Sequence, residues 1–148
     1  MTNKSSNKKE LHDIASGLLK EGLSIRIEAS GYSMYPTIKP GTIIYIDPVA
    51  SPDDLKPGDI ISWHRADGII GHRLIRAYIK DDNYWLITRG DSSLAADPPV
   101  PFNNLAGKVV LIETGRSKYK PHATGVIPEW KYAFNRKLVW LVAHYRKW

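Results

Sequence analysis

Apolar and polar residues alternate along much of the chain, and this period of two is typical of β-strands with one buried face. The segment LSIRIEA shows the alternation first, with Leu23, Ile25 and Ile27 separated by polar neighbours. Five more strands are predicted in GTIIYID, IISWHR, IIGHRLIRAYI, YWLITR and GKVVLIE, with an Asp67–Gly68 hairpin turn between IISWHR and IIGHRLIRAYI. Six closely spaced strands without helices between them predict an all-β fold, an antiparallel barrel-like domain.

A period of 3.6 residues replaces the alternation at both ends of the chain and predicts two helices. The segment NKKELHDIASGLLKEG predicts a short amphipathic helix, with Asn7 and Glu10 as its cap and Gly22 at its end. We expect a flexible N-terminus (1–9), a β domain with this leading helix (10–128) and a basic, aromatic C-terminal helix (129–148). The C-terminal helix carries one apolar stripe, which consists of Trp130, Phe134, Leu138, Leu141, Tyr145 and Trp148.

The net charge of +6 is concentrated near the C-terminus. Residues 114–148 contain eight Lys or Arg and one Glu, a charge of +7, whereas the first 113 residues contain 13 basic and 14 acidic side chains. A local excess indicates contact at one place, so no nucleic-acid partner is expected. Two hypotheses remain for the C-terminal helix: it packs on the β domain, or it lies at a lipid headgroup layer as a peripheral membrane contact.

The composition excludes several classes of site. The chain has no cysteine, which rules out disulfides, thiolate metal sites and a cysteine nucleophile. The N-terminal MTNKSSNKKE lacks the apolar core of a signal peptide, and the apolar run from Leu138 to Ala143 is far shorter than the ~20 residues of a spanning helix. We therefore expect the cytoplasm or the periphery of the cytoplasmic membrane as the location.

The stretch EASGYSMYPTI holds Ser33 on a stiffened turn. Gly31 gives the backbone access to positive φ, and the ring of Pro36 fixes its own φ near about −65°. A turn serine commonly does no more than hydrogen-bond the backbone. To act as a nucleophile, Ser33 would need a base, a group that orients the base, and donors for the developing oxyanion.

Residues suited to those roles follow Ser33 in order along the chain. His72 lies on a predicted strand, and Asp91 and Asp97 lie in the loop RGDSSLAADPPV. Taken alone, a strand histidine is usually a packed structural residue, and an aspartate after glycine is usually a turn former. The order of serine turn, histidine strand and aspartate loop is more informative than any one of them.

The segments GYSMYPTI, KPGDII, GHRLI and RGDSSLAADPPVP with GKV resemble the four successive boxes of signal peptidase I and its relatives, which include the self-cleaving SOS-response repressors. The resemblance covers roughly residues 25–112. Bacterial signal peptidases and SOS repressors use a lysine base, whereas the Gly71-His72-Arg73 segment is similar to the endoplasmic-reticulum and archaeal type, which uses histidine. The resemblance implies the fold of these peptidases and a serine endopeptidase activity without metal or organic cofactor.

The same resemblance implies a role for each site residue. Ser33 would be the nucleophile, His72 the general base, and Asp97 the residue that orients His72, while Asp91 would support the loop. The oxyanion hole would use the Ser33 backbone N–H and Ser30, since signal peptidases commonly carry a serine two residues before the nucleophile and glycine stands there in this chain. The substrate would be an extended peptide or protein segment with small residues before the cut, bound as an added strand.

Two other functions remain open on the sequence. A self-cleaving or partner-cleaving regulator of the SOS-repressor type would share the chemistry, although the leading helix is single and no DNA-binding domain is predicted before the β domain. A catalytically inactive peptide-binding module would keep the fold without turnover.

Overall fold

The computed structural model describes residues 3–65, 68–121, 125 and 127–146. It shows a predominantly antiparallel sheet of eight strands with one helix at each end of the chain, which confirms the all-β character of the fold. In chain order, the elements are α1 (Asn3–Lys20), β1 (Ile25–Glu28), β2 (Ile43–Asp47), β3 (Ile60–Arg65), β4 (Gly68–Lys80), β5 (Asn83–Arg89), β6 (Val100–Pro101), β7 (Leu105–Glu113), β8 (Lys118–Tyr119) and α2 (Glu129–Tyr145).

The sheet is open, so the predicted barrel-like closure is wrong. Its strand order is β1-β2-β7-β3-β4-β5-β6, with β8 paired to β7, and each of these pairings is antiparallel. Within the described part of the chain, β1 and β6 lie at opposite ends of this order and do not pair with each other. β6 has only two residues, and Pro101 has no N–H to donate, so this end strand cannot form a longer ladder.

The core lies on both faces of the sheet because successive side chains of a strand point to opposite sides. Ile60 of β3 belongs to the larger cluster, which α1 covers with Ala15 and Leu19. Its neighbour Ile61 belongs to a second cluster, with Leu74 and Leu86 of the next two strands. The central strand β3 is therefore buried on both faces, and it gives its neighbour β4 a rigid support.

The leading helix begins at Asn3, so residues 3–9 of the expected flexible lead are helical in the structure. Their polar side chains make no apolar stripe, which is why periodicity gave no signal there. At the other end, Gly22 has φ +83° and Leu23 follows it, and their N–H groups donate to the carbonyls of the last helical turn at 3.0 Å each. Gly22 thus ends α1 as predicted.

Two aspartates form the turn of the β4–β5 hairpin. Asp81 and Asp82 have φ of 53° and 60°, the left-handed geometry that a two-residue turn requires between β4 and β5. The predicted turn at Asp67 lies outside the described residues, although Arg65 pairs with Gly68 at the end of the β3–β4 ladder.

The C-terminal helix packs through a face that periodicity did not predict. Tyr132 and Asn135 are its buried residues, whereas the predicted stripe lies on the solvent side, apart from the half-buried Leu138. Trp148 falls outside the described residues. Neither helix, as far as the structure describes them, combines the length and the apolar character needed to cross a membrane.

Replacing Gly107 with alanine is expected to destabilise the sheet. A Cβ at Gly107 would collide with the backbone oxygen of Asp47 and would lie 2.6 Å from Cγ2 of Ile46, so β7 would have to move away from β2. We expect Gly107→Ala to lower the free energy of unfolding by about 1–3 kcal/mol in urea denaturation. Gly115→Ala, where a Cβ meets nothing within 4 Å, is the matched control and should change it by less than about 0.5 kcal/mol. Equal losses in the two variants would contradict this account of the packing.

Candidate active site

Ser33 lies on the turn between β1 and β2, and buried residues of this turn anchor it in the core. The next residue, Met34, is buried, and its carbonyl accepts the N–H of the buried Ile38 at 2.9 Å. Gly31 has φ +81°, as the sequence suggested, and the Tyr35–Pro36 peptide is cis. The turn therefore anchors Met34 in the core while the side chain of Ser33 stays exposed.

Ser33 lines a cleft of about 380 Å³, called here the serine cleft. The turn contributes Ser30, Gly31 and Ser33 to its wall, and β4 contributes His72. The serine cleft thus brings together the proposed nucleophile, the proposed base and the proposed oxyanion serine. Apolar side chains form much of the remaining wall, including those of Met34, Ile38, Ile44, Ile60 and Val109.

His72 is buried and is hydrogen-bonded to Asp97. The distance from Nδ1 of His72 to Oδ2 of Asp97 is 2.6 Å, and the hydroxyl of Thr88 donates to the same oxygen at 2.7 Å. The N–H of Asp97 donates to the carbonyl of Thr88 at 2.8 Å, which holds the aspartate beside β5. The indole of Trp63 packs edge-on against the imidazole, with ring centroids 5.4 Å apart. The imidazole is fixed in place, and no described residue forms a hydrogen bond with its Nε2.

The carboxyl of Asp97 is held in its ionised form. Partial burial raises its pKa, but the hydrogen bonds from His72 and Thr88 and the nearby charges of His72 and Arg65 outweigh that effect. The net result is a pKa lowered from the usual 3.8. An ionised carboxylate at this position favours an N–H on Nδ1 of His72 and stabilises the imidazolium.

Gly90 separates the serine turn from His72 and leaves no room for a side chain. A Cβ at Gly90 would lie 2.6 Å from the carbonyl oxygen of Ser33 and 3.1 Å from Nε2 of His72. These two atoms therefore flank one point in the structure, which brings the backbone of Ser33 close to the imidazole. In this structure no hydrogen bond joins the Ser33 hydroxyl to His72 among the described residues, and such bonds are often long before substrate binds.

The residue after His72 makes the most buried ion pair of the site. Nε and Nη2 of Arg73 donate to the two carboxylate oxygens of Asp91, each at 2.8 Å, and Nη1 donates to the carbonyl of Gly58 at 2.8 Å. Arg73 and Asp91 are both only 2% exposed. Asp91 does not face His72; it fixes the loop that carries Asp97 to the strand that carries His72.

The same loop is tied to the serine turn and to α2. Thr37 donates its hydroxyl to Asp91 at 2.6 Å, and the N–H of Ser92 donates to the carbonyl of Ser33 at 2.9 Å. From α2, the side chain of Asn135 donates to the backbone oxygen of Asp91 at 2.9 Å. Three segments far apart in sequence are thus joined around Asp91 and its neighbour Ser92.

A second serine–histidine contact lies elsewhere on the molecule. Oγ of Ser16 in α1 is 3.0 Å from Nδ1 of His64 in β3. Burial lowers the pKa of His64, and the charge of Lys20 adds to this effect. His64 and Ser16 line a different cavity from the serine cleft, and no carboxylate orients this imidazole in the described structure. We therefore assign no chemistry to the pair.

Sequence reasoning missed four residues that build the site, namely Arg73, Thr88, Gly90 and Asn135. A signal existed for Arg73, since a charged residue inside an apolar strand segment requires a buried partner. Gly90 was visible only as half of a Gly-Asp pair. Thr88 and Asn135 carried no signal, because their partners are set by packing.

No model of a known protein family matches the chain, and no curated protein matches it either. Within the described residues, no group of three or more His, Asp or Glu side chains is arranged to hold a metal ion.

Removing one partner of the buried Arg73–Asp91 ion pair is expected to lower the free energy of unfolding strongly. Arg73→Met would strand the buried charge of Asp91, and we expect a loss of about 3–5 kcal/mol of unfolding free energy in urea denaturation. Adding Asp91→Asn removes that charge and should restore part of the loss. Arg26→Met is the matched control, because Arg26 pairs with Glu113 with 56% of its side chain exposed, and it should cost less than about 1 kcal/mol. Similar losses for Arg73→Met and Arg26→Met would contradict the central role of the buried pair.

The lowered pKa of Asp97 predicts how its contribution changes with pH. Folding favours the ionised carboxylate, so the stabilisation is complete above the unfolded pKa and is lost as the pH falls through the lower, folded pKa. Asp97→Asn should therefore be less stable than the wild type at neutral pH, and the difference should shrink under acid conditions. Urea unfolding of both proteins at several pH values from 7 down to 3 measures this difference in the free energy of unfolding. A difference that stays constant over this range would show that Asp97 contributes only packing.

Proposed function

We propose that the protein is a serine endopeptidase with a fold and site resembling those of signal peptidases that use histidine as the base. The observation that carries the proposal is the hydrogen bond between His72 and Asp97 at 2.6 Å, at the wall of the cleft that Ser33 lines. A buried imidazole bound to an ionised carboxylate is the usual means of activating a serine.

In this proposal Ser33 attacks the carbonyl carbon of the scissile peptide bond through its hydroxyl oxygen. Nε2 of His72 takes the hydroxyl proton, while Asp97 keeps Nδ1 protonated and stabilises the imidazolium. The imidazolium then gives its proton to the leaving amine, which departs and leaves an acyl group on Ser33. Water, deprotonated by the same imidazole, hydrolyses the ester and regenerates the hydroxyl.

The developing oxyanion needs donors near Ser33. The backbone N–H of Ser33 and the hydroxyl of Ser30 are the groups we assign to it, since both residues lie in the wall of the serine cleft. The carbonyl of Ser33 accepts the N–H of Ser92, which fixes the orientation of this part of the turn. Preorganised donors stabilise the transition state without rearrangement at the moment of reaction.

The substrate we propose is an extended peptide segment. Among the described strands, β1 pairs only with β2, so its other edge is open to an added strand, and residues 27–31 continue from it into the cleft wall. The apolar wall and the modest volume of the serine cleft favour a small side chain before the cut. The chemistry needs no metal or organic cofactor, and we propose a cytoplasmic or peripheral location.

Substitution of the two reacting residues is expected to abolish turnover. Ser33→Ala and His72→Ala should each reduce peptide cleavage by about 10⁴-fold or more while the thermal melt stays cooperative. Intact-mass spectrometry of the protein alone and with peptide libraries detects cleavage in cis and in trans. Ser16→Ala and His64→Ala are the matched controls, since they form the other serine–histidine contact, and both should retain wild-type turnover.

Three results would contradict this proposal or favour one of the other two functions. Cleavage by His72→Ala at a rate near that of the wild type would refute His72 as the base. Cleavage of the chain itself, without cleavage of added peptides, would favour the self-cleaving regulator. Binding of peptides without cleavage, equal in wild type and Ser33→Ala, would identify a peptide-binding module.

A further inference from the structure

The C-terminal helix docks on the domain through one polar and aromatic face. The guanidinium of Arg89 lies 3.5 Å from the ring centre of the buried Tyr132 and donates to the carboxylate of Glu129 at 3.0 Å. Asn135 donates to the backbone oxygen of Asp91, and Arg146 donates to the hydroxyl of Tyr32 at 3.1 Å. These contacts hold the first half of α2 against the loop and the end of the helix, through Arg146, against the serine turn.

The opposite face of α2 is apolar and open to solvent. Successive helical residues are about 100° apart, so residues four apart lie on one side. Trp130 is 68% exposed, Phe134 53% and Tyr145 79%. Large aromatic side chains are rarely left this exposed as a group, and a patch of them on one helix face indicates a binding surface. We call this the aromatic face of α2; it consists of Trp130, Phe134, Leu141 and Tyr145.

Cations lie beside the aromatic face. Lys131 and Lys137 are exposed, and by helical spacing they lie on its two sides. They belong to the segment of residues 114–148, which carries a charge of +7. In the described part of α2, Glu129 is the one acidic residue, and its carboxylate is engaged by Arg89. The surface beside the aromatic face therefore has an uncompensated positive charge.

We propose that the aromatic face of α2 binds an anionic lipid surface. Charge complementarity selects this occupant: the cations would lie at the level of the lipid phosphates while the rings enter the boundary between headgroups and acyl chains. Tryptophan and tyrosine have an apolar body and a polar group, which suits them to that boundary. The helix would lie in the plane of the surface, since its other face is bound to the protein.

The test is co-sedimentation of the full chain with vesicles of phosphatidylcholine alone and of phosphatidylcholine with phosphatidylglycerol. We expect binding to the anionic vesicles that weakens as salt is raised, and at least tenfold weaker binding to the neutral ones. Tryptophan fluorescence should shift to the blue on binding, because Trp130 leaves water.

Two double variants separate the contributions of charge and aromatic contact. Lys131→Gln with Lys137→Gln should weaken anionic binding roughly thirty-fold, since each cation near such a surface is worth about fivefold. Trp130→Ser with Phe134→Ser should weaken binding to the same vesicles by tenfold or more. The matched control is Leu11→Ser with Ile14→Ser on α1, which are 67% and 61% exposed and should leave binding unchanged. All these side chains are exposed, so the variants should melt as the wild type does.

Three outcomes would overturn the proposal. Absence of binding to the anionic vesicles would refute a lipid surface as the partner and leave the aromatic face to a protein. Equal binding to neutral and anionic vesicles would refute the role of charge. Loss of binding in the α1 variant rather than the α2 variants would place the lipid contact on the other helix.

Discussion

The buried ion pair between Arg73 and Asp91 is the constraint on which the site depends. A buried guanidinium and carboxylate are tolerated only when their hydrogen-bonding groups are satisfied, and here the two residues share two parallel bonds. Further bonds join Arg73 to the carbonyl of Gly58, just before β3, and Asp91 to Thr37. The pair therefore forms only when the segment before β3 and the serine turn are both in place. The pair therefore specifies one arrangement of these segments, beyond what its net energy contributes.

This arrangement explains why the imidazole is so well fixed. Arg73 follows His72 on β4, so the two side chains point to opposite sides of the strand. One side holds the ion pair and the other holds the hydrogen bond to Asp97. Because Asp91 and Asp97 are in one loop, a single segment binds the strand on both sides. The loop therefore fixes the backbone of β4 on one side and the imidazole of His72 on the other.

Much of the fold and part of the site could be predicted from sequence, because they depend on local patterns. The alternation in LSIRIEA and the end of the leading helix at Gly22 each reflect a rule that operates within a few residues, and both appear in the structure. The order of Ser33, His72 and Asp97 was visible in the sequence. In the structure His72 is hydrogen-bonded to Asp97, and Ser33 and His72 line the same cleft. Whether these residues perform chemistry stays a prediction.

The features that sequence could not supply depend on packing between distant segments. The end strand β6 has only two residues, and the sequence of the proline-rich loop does not reveal this length or the open end of the sheet. The apolar stripe of α2 was identified correctly as a stripe, but periodicity does not say which face meets the protein. Polar contacts of Asn135 and Arg146 determine which face of α2 packs on the domain, and the aromatic residues of the other face are exposed to solvent.

The proposed lipid contact of α2 has a geometric consequence for the proposed peptide substrate. The inward face of the helix is bonded to Asp91 and, through Arg146, to Tyr32, the neighbour of Ser33. With the outward face lying on a lipid plane, the serine turn would stand about one helix diameter, roughly 10 Å, above that plane. The distance of Ser33 from the lipid surface would then select the peptide bond that is cleaved. Peptide bonds much closer to the bilayer, or much farther from it, would not reach the serine.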